Sequence, residues 1–277
     1  MYKLRDWIDK EKLTFSVCSN PKAIRFLEEN PEKMNWNWLA TNPEALPMIE
    51  KNKDKICWHW LCTNPAAIHL LKKNPDKIDW SQLCRNPAAI HLLNLEKIDW
   101  YYLSINPEAI DILEANPDKI NWYALSVNVN AMGLFKKYGK CKSERDLCSN
   151  PSAIDYFTEN PDAINWITLS SNPSAIHLIK DNLDKINWCE LSTNPSAIEL
   201  LEANLDKINW LKLSSNPAAV HLFEKNQDKI NWFRFSQLPT IFEYDYEAMT
   251  KRRSVLHEEL LSVIFHPDNI SHFKVCL

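Results

Sequence analysis

Asn64-Pro65-Ala66-Ala67-Ile68-His69-Leu70-Leu71-Lys72-Lys73-Asn74-Pro75-Asp76-Lys77-Ile78-Asp79-Trp80-Ser81-Gln82-Leu83-Cys84-Arg85 is one period of a pattern that fills most of the 277-residue chain. It reads as two short helices. Asn64 suits an N-cap and Pro65 the first helical position, where a missing N–H costs nothing. Helix A is predicted to run to about Lys73. There Asn74, able to adopt the left-handed cap conformation, and Pro75 stop it. Asp79, asparagine in most copies, is a second N-cap that opens a shorter helix B from Trp80 to about Arg85. Helical spacing places Ala67, Ile68 and Leu71 on one side of helix A, and Trp80, Leu83 and Cys84 on one side of helix B. Ile78 in the connector completes the apolar set. Isolated helices below roughly 12–15 residues are marginal, so stacking of units must supply the stability.

Outward from this unit the same signals recur. Pro21, Pro43, Pro65, Pro87, Pro107, Pro151, Pro173, Pro195 and Pro217 each follow an asparagine, 22 residues apart except for one interval of 20 and one of 44. Trp36, Trp58, Trp80, Trp100, Trp122, Trp166, Trp188, Trp210 and Trp232 keep the same rhythm and account for nine of the 12 tryptophans. Self-similarity at a fixed short period is the mark of a solenoid. The fold expected is therefore all-α, an α-solenoid of about ten 22-residue helix-turn-helix repeats over residues 20–238. The tryptophan column is expected to be its structural spine, each buried indole contributing about 4–6 kcal/mol at most.

The ends depart from the pattern, as terminal units of repeat arrays do. Residues 1–19 hold a partial unit, with Leu13, Phe15 and Val17 in the apolar columns, and are expected to form an N-terminal cap. Residues 239–277 are expected to form a C-terminal helical cap. Its amphipathic stretch from about Tyr246 to Phe265 would lay Val255, Leu256, Leu260, Ile264 and Phe265 over the last repeat. One internal unit, residues 128–149, is degenerate: Val129 replaces the proline, Glu144 the tryptophan, and both glycines, Gly133 and Gly139, lie in it. Drift in a redundant repeat and a hinge are both open readings.

Composition narrows the function. An average chain of this length carries roughly 19 glycines, at about 7% usage; this one has 2. Phosphate-cradling loops and tight strand turns need glycine, so their scarcity argues for helices and against such sites. The net charge is −4, with 32 Lys and Arg against 36 Asp and Glu. A basic stripe would be expected of a nucleic-acid module. No apolar run long enough for a membrane span occurs, and the first residues lack the apolar core of a signal peptide. An intracellular location, not a secreted one, is the expectation.

The repeats resemble a family of tandem-repeat proteins from giant and large algal DNA viruses. The likeness is carried by Asn194-Pro195-Ser196-Ala197-Ile198 with Asp206-Lys207-Ile208-Asn209-Trp210 and Leu213-Ser214. The tail Phe242-Glu243-Tyr244-Asp245-Tyr246, Glu258-Glu259-Leu260 and His266-Pro267-Asp268-Asn269-Ile270 is also similar. The resemblance covers about residues 20–277. It implies a viral origin, hence host cytoplasm or virion as the location, and a repeat fold, and assigns no activity or active-site residues.

Candidate sites fall in columns. Cys18, Cys62, Cys84 and Cys148 occupy the position that holds serine in most other units, so they read as small buried thiols and not as metal or disulfide sites. His69, His91, His177 and His221 share the fourth position after proline, on the exposed side of helix A; they read as solvated, with a pH-sensitive binding face as the alternative. Two residues past the spine tryptophan, about 200° round helix B, lies an outward column with Trp38, Trp60 and Tyr102 in its N-terminal half and polar residues beyond. These aromatics are either partner-contact anchors or packing for the N-terminal cap. The tentative partner site is thus Trp38, Trp60, Tyr102, His69 and His91.

No Ser–His–Asp, Walker, Gly-rich or His-Glu-x-x-His arrangement is present, and no catalysis, metal or cofactor is expected. The function expected is a non-catalytic scaffold for protein–protein interaction, with a host or viral protein as partner and neither nucleic acid nor membrane. The alternatives are a virion structural component and, third, a nucleic-acid-binding repeat protein.

Overall fold

In the computed structural model, which describes residues 1–138 and 144–264, pairs of short helices recur along the whole array. In the unit quoted above, Asn64 Oδ1 accepts from the Ala66 N–H at 3.0 Å. Pro65–Ala67 form a 3-10 turn that runs into helix A, Ile68–Lys73. Asn74 ends helix A at φ −132° and ψ 61°, outside the left-handed region expected for it. Its side-chain amide instead donates to the Leu70 carbonyl at 2.8 Å, so the orphan acceptor of the helix end is met by a side chain. After a second 3-10 turn, Pro75–Lys77, Asp79 Oδ1 accepts from the Gln82 N–H at 3.1 Å and caps helix B, Trp80–Leu83, a single turn. In the unit two residues shorter, helix A survives only as 3-10 helix, Pro87–Leu92. The larger rise of that helix, about 2.0 Å per residue, spans the gap with fewer residues.

The units are joined through asparagine. Asn20, Asn42, Asn64, Asn86, Asn106, Asn128, Asn150, Asn172, Asn194 and Asn216 are all buried. Each side chain works in two directions. Its oxygen accepts from the start of its own unit, and its amide donates to carbonyls of the unit before. Asn172 Nδ2, for example, donates to Cys148 O at 2.9 Å and Asn150 O at 3.0 Å. In the short unit Asn106 bonds only Cys84 O, at 2.8 Å. The ladder passes through the degenerate unit unbroken, where Asn150 donates to Ser126 O and Asn128 O. That unit keeps helices Met132–Tyr138 and Glu144–Leu147, with Gly133 exposed in the first; Gly139 lies outside the described residues. The small residue near the end of helix B adds a further bond between units: Ser214 Oγ accepts from the Asn231 N–H at 2.9 Å and Cys62 Sγ from the Asp79 N–H at 3.3 Å. Backbone-to-backbone bonds between successive repeats occur at the chain junction itself, where each corner asparagine N–H donates to the leucine carbonyl three residues before it, as Asn86 does to Leu83 O at 3.0 Å.

The most buried apolar columns are the leucine three residues past each tryptophan (Leu39, Leu61, Leu83, Leu103), the alanine two past each proline (Ala45, Ala67, Ala89) and the helix-A residue represented by Leu71, Phe157 and Phe223. This corrects the expectation of a tryptophan spine. Trp36, Trp58, Trp80, Trp100, Trp122, Trp166, Trp188, Trp210 and Trp232 are half-buried and pack against this core from its flank. The rings lie at the edge of this core where one unit meets the next: Trp122 packs on Phe135 and Trp210 on Phe223 of the following unit, both at 5.7 Å, and no ring is fully enclosed. A lysine of the next unit covers several of the rings: Lys55 over Trp36 at 5.0 Å, Lys207 over Trp188 at 4.5 Å and Lys229 over Trp210 at 4.4 Å.

The two ends of the array meet. Strand β1, Tyr2–Leu4, pairs antiparallel with β2, Phe242–Tyr244, with Lys3 opposite Glu243. Asn20 donates to Ser236 O at 3.3 Å and Leu238 O at 2.8 Å, so the first asparagine bonds the last unit as every other asparagine bonds its predecessor. Thr14 N–H donates to Ser236 Oγ at 3.1 Å, Ser16 Oγ to Phe233 O at 2.6 Å, and Trp7 packs on Phe235 at 6.0 Å. With Leu238 in the asparagine's place, eleven corners form a closed ring. Residues 1–19 therefore cover the last repeat. The C-terminal helix, Tyr246–Ile264, does not: Val255, Leu256 and Leu260 are exposed, because the surface they were expected to cover is already taken. Phe265 and residues 266–270 lie outside the described residues.

Closure requires wedge-shaped units. Small side chains (the alanines, and the serines or cysteines ending helix B) crowd the Asn-Pro corner. Helix B lies directly beside helix B of the next unit, as Trp36–Ala40 does beside Trp58–Leu61. Successive A helices are instead bridged by long side chains, Glu50–His69 at 2.7 Å and Glu199–Lys180 at 3.5 Å. The wedge narrows toward helix B, which faces the inner side of the ring, with helix A outside.

Asn172→Ala removes an N-cap and leaves two buried carbonyls without donors, and is expected to cost about 2–4 kcal/mol in urea unfolding; a loss below about 0.5 kcal/mol would contradict the ladder's role. Removing residues 1–19 is expected to raise the radius of gyration in small-angle scattering while helicity persists. Unchanged scattering would show that the ring does not depend on this seam.

Candidate interaction surface

Helix B turns toward the core the half-buried tryptophan and the buried residues three and four past it, at about 0°, 300° and 40° round the axis. Of the remaining positions the first after the tryptophan is the most exposed, while the second and fifth are mostly half-buried, with Gln82 and Ala124 buried at the second. On the first are Tyr101, Tyr123, Ile167, Leu211 and Phe233, all exposed, Tyr123 to 60%. The first repeat-like turn adds Phe15, also exposed. The fifth position contributes Thr41, Thr63, exposed Val127 and Thr193. Sequence reasoning took the second position as the outward column and missed the first. The signal was there, since a one-turn helix with three core-facing residues presents the whole opposite arc.

The aromatic residues expected as anchors have different surroundings. Trp38 is half-buried between Phe15, at 5.9 Å, and Phe233, at 5.6 Å, which join it from the first and last units. Phe15 and Phe233 also touch, at 5.8 Å. Trp38 thus takes part in the packing across the seam. Trp60 is 38% exposed. It meets the His59 ring edge-on at 4.8 Å and, with Asn37, Trp38 and Thr41, lines a cleft of about 220 Å³. Tyr102 is half-buried under the Arg85 guanidinium at 5.4 Å and beside Tyr101 at 5.4 Å. Between them Gln82 is buried, its Oε1 without a partner. Trp38 and Trp60 thus belong to one patch, which continues through Phe15 and Phe233, and Tyr102 to another with Tyr101.

The charged groups of this face are largely held by neighbours. Lys212 Nζ lies 2.5 Å from Glu190 Oε1, Arg234 donates to Ser215 Oγ at 3.1 Å, and His59 Nδ1 is 2.8 Å from Asp79 Oδ2.

His69 and His91 are not part of this surface. Both are exposed on the helix-A side, His69 with Nε2 2.7 Å from Glu50 Oε1 of the preceding unit. His221 repeats the arrangement with Glu202 at 2.5 Å. The core separates them from Trp38, Trp60 and Tyr102, so the expected five-residue site divides between two faces. Cys18, Cys62, Cys84 and Cys148 are all buried, the first three as free thiols. Burial pushes Cys18, Cys62 and Cys84 above the usual thiol pKa, the reverse of what a nucleophilic thiolate needs. Among the described residues no three His, Cys, Asp or Glu side chains are grouped to hold a metal ion, and no helix is long and apolar enough to cross a membrane.

No family model, curated protein or solved structure matches the chain.

If Trp38 is seam packing and Trp60 a surface ring, their alanine variants should differ. Trp38→Ala is expected to cost about 2–3 kcal/mol in chemical unfolding and Trp60→Ala under about 1 kcal/mol. Equal costs would overturn the distinction.

Proposed function

We propose that the protein is a non-catalytic scaffold that binds a protein partner along the helix-B face of its ring. The observation that carries this reading is the exposed apolar arc of that face, from Tyr101 and Tyr123 through Ile167 and Leu211 to Phe233 and Phe15. Isolated exposed apolar residues are ordinary, but large apolar side chains exposed at one helical position in five of the ten repeats are typical of contact surfaces. Short helices, capped at the start by a half-buried asparagine or aspartate and followed by a buried asparagine, hold these side chains in place, which lowers the ordering cost of binding. The neighbouring charges are engaged with one another, so a partner meets ring edges and aliphatic groups first. Core columns repeat while the surface columns vary from unit to unit, an arrangement suited to one specific ligand read along several repeats. The likeness of the repeats to virus-encoded arrays supports a host or viral protein as that ligand.

Selection of displayed peptides on the intact protein provides the test. Peptides enriched on the wild type are expected to bind at least about tenfold more weakly to the Tyr101→Ser/Tyr123→Ser/Leu211→Ser variant, a loss of about 1.4 kcal/mol or more. They are expected to bind His69→Ala/His177→Ala unchanged. The reverse pattern would move the site to helix A, and retention by both variants would remove the proposal.

A further inference from the structure

The C-terminal helix, Tyr246–Ile264, has 19 residues and spans about 28 Å. Its first turn is anchored at the seam. Asp245 Oδ1 accepts from the Ala248 N–H at 2.9 Å, and its Oδ2 is 2.7 Å from Arg25 Nη1. Both contacts hold the Asp245 carboxyl below the usual carboxylate range, the Ala248 bond first. Beyond Ala248, residues 249–262 are all exposed.

That exposure is uneconomical unless something covers it, because the apolar residues form a stripe. Tyr246, Met249, Arg253, Leu256 and Leu260 follow the three-four spacing of a helix-pairing seam, and Leu260 is 56% exposed. Val255 and Leu261 lie away from it. The charges are polarised along the helix, with Lys251, Arg252 and Arg253 in the first half and Glu258 and Glu259 in the second.

We infer that this helix pairs antiparallel with the same helix of a second copy of the chain. One register matches Met249, Arg253, Leu256 and Leu260 at once. Met249 faces the second copy's Leu260, and Leu256 faces the stem of the second copy's Arg253, whose head reaches solvent. In that register Arg252 flanks the seam beside the second copy's Glu259, and the two-fold axis repeats the pair. Thr250 and His257 meet on the opposite flank. Parallel pairing would instead set Arg252 beside His257 of the other helix and leave the acidic half unmatched. Folding back onto its own ring offers no such complement, since Asp245 and Arg25 fix the exit of the helix and the last repeat is already covered. With four apolar side chains per helix, the interface falls at the low end for specific association, on the order of 1,000 Å² in total, so the dimer is expected to be concentration-dependent.

Sedimentation equilibrium of the full chain over a concentration series tests this. Mass is expected to rise from one chain, 32.4 kDa, toward two. Leu256→Lys/Leu260→Lys should remain monomeric at every concentration, with unchanged helicity. Arg252→Glu and Glu259→Arg should each weaken self-association by about tenfold, since each turns two attractive contacts into repulsive ones. Combining the two changes in one chain should restore it. Mixing the two single variants should give a heterodimer, because each flank then joins opposite charges. A monomer throughout, a dimer indifferent to Leu256→Lys/Leu260→Lys, or failure of the double variant to recover would overturn the proposal. A dimer that survives both charge changes but not the leucine changes would overturn the antiparallel register.

Discussion

A buried asparagine side chain that bonds its own unit with one end and the preceding unit with the other is the constraint on which the fold depends. Helices satisfy their own backbone and offer nothing to a neighbour, so stacked helical repeats normally adhere through apolar contact alone. Here the short helices leave carbonyls unpaired at each Asn-Pro corner, and the amide of the next asparagine takes them up. Leaving such groups buried and unpaired costs about 1–3 kcal/mol each. The asparagine column is therefore a matter of backbone satisfaction as well as of capping, and beside it the corner holds only small side chains, alanine, serine and cysteine, while the indoles sit at the edge of the core.

Closure follows from the same spacing. Units pulled together at one corner and filled by leucine and phenylalanine at the other are wedges, and eleven such corners return the chain to its start. The closing joint reuses the ladder, through Asn20, and reinforces it with the β1–β2 pair and the Arg25–Asp245 contact. An open array exposes an apolar layer at each end and needs caps. In a ring each end is the other's cap. The aromatic cluster of Phe15, Trp38 and Phe233 seals the inner side of the same joint.

Much of the fold was legible in one period of sequence, because its determinants are local. The N-cap asparagine, the proline after it, the second cap before tryptophan and the apolar spacing of both helices each act within a few residues. Leu83 and Leu71 were placed correctly on the buried sides for that reason. Trp80 was placed on the correct side but at the wrong depth, since depth is set by the distance between units. The candidate surface was legible only in part. Trp60 could be assigned to the exposed arc of helix B, but Tyr123 and Leu211 needed the full arc to be drawn, and His69 shares no face with either.

By itself the sequence determined that the chain repeats, where each helix starts and stops, and which columns are apolar, because capping and periodicity are written in neighbouring residues. Only the tertiary structure decided that Asn20 bonds Ser236 and Leu238, that Tyr2–Leu4 pairs with Phe242–Tyr244, and that the final helix is left uncovered. Those outcomes depend on a small rotation per unit summed over the whole array. No single repeat contains that sum; it arises from how closely buried amides draw each layer onto the one before.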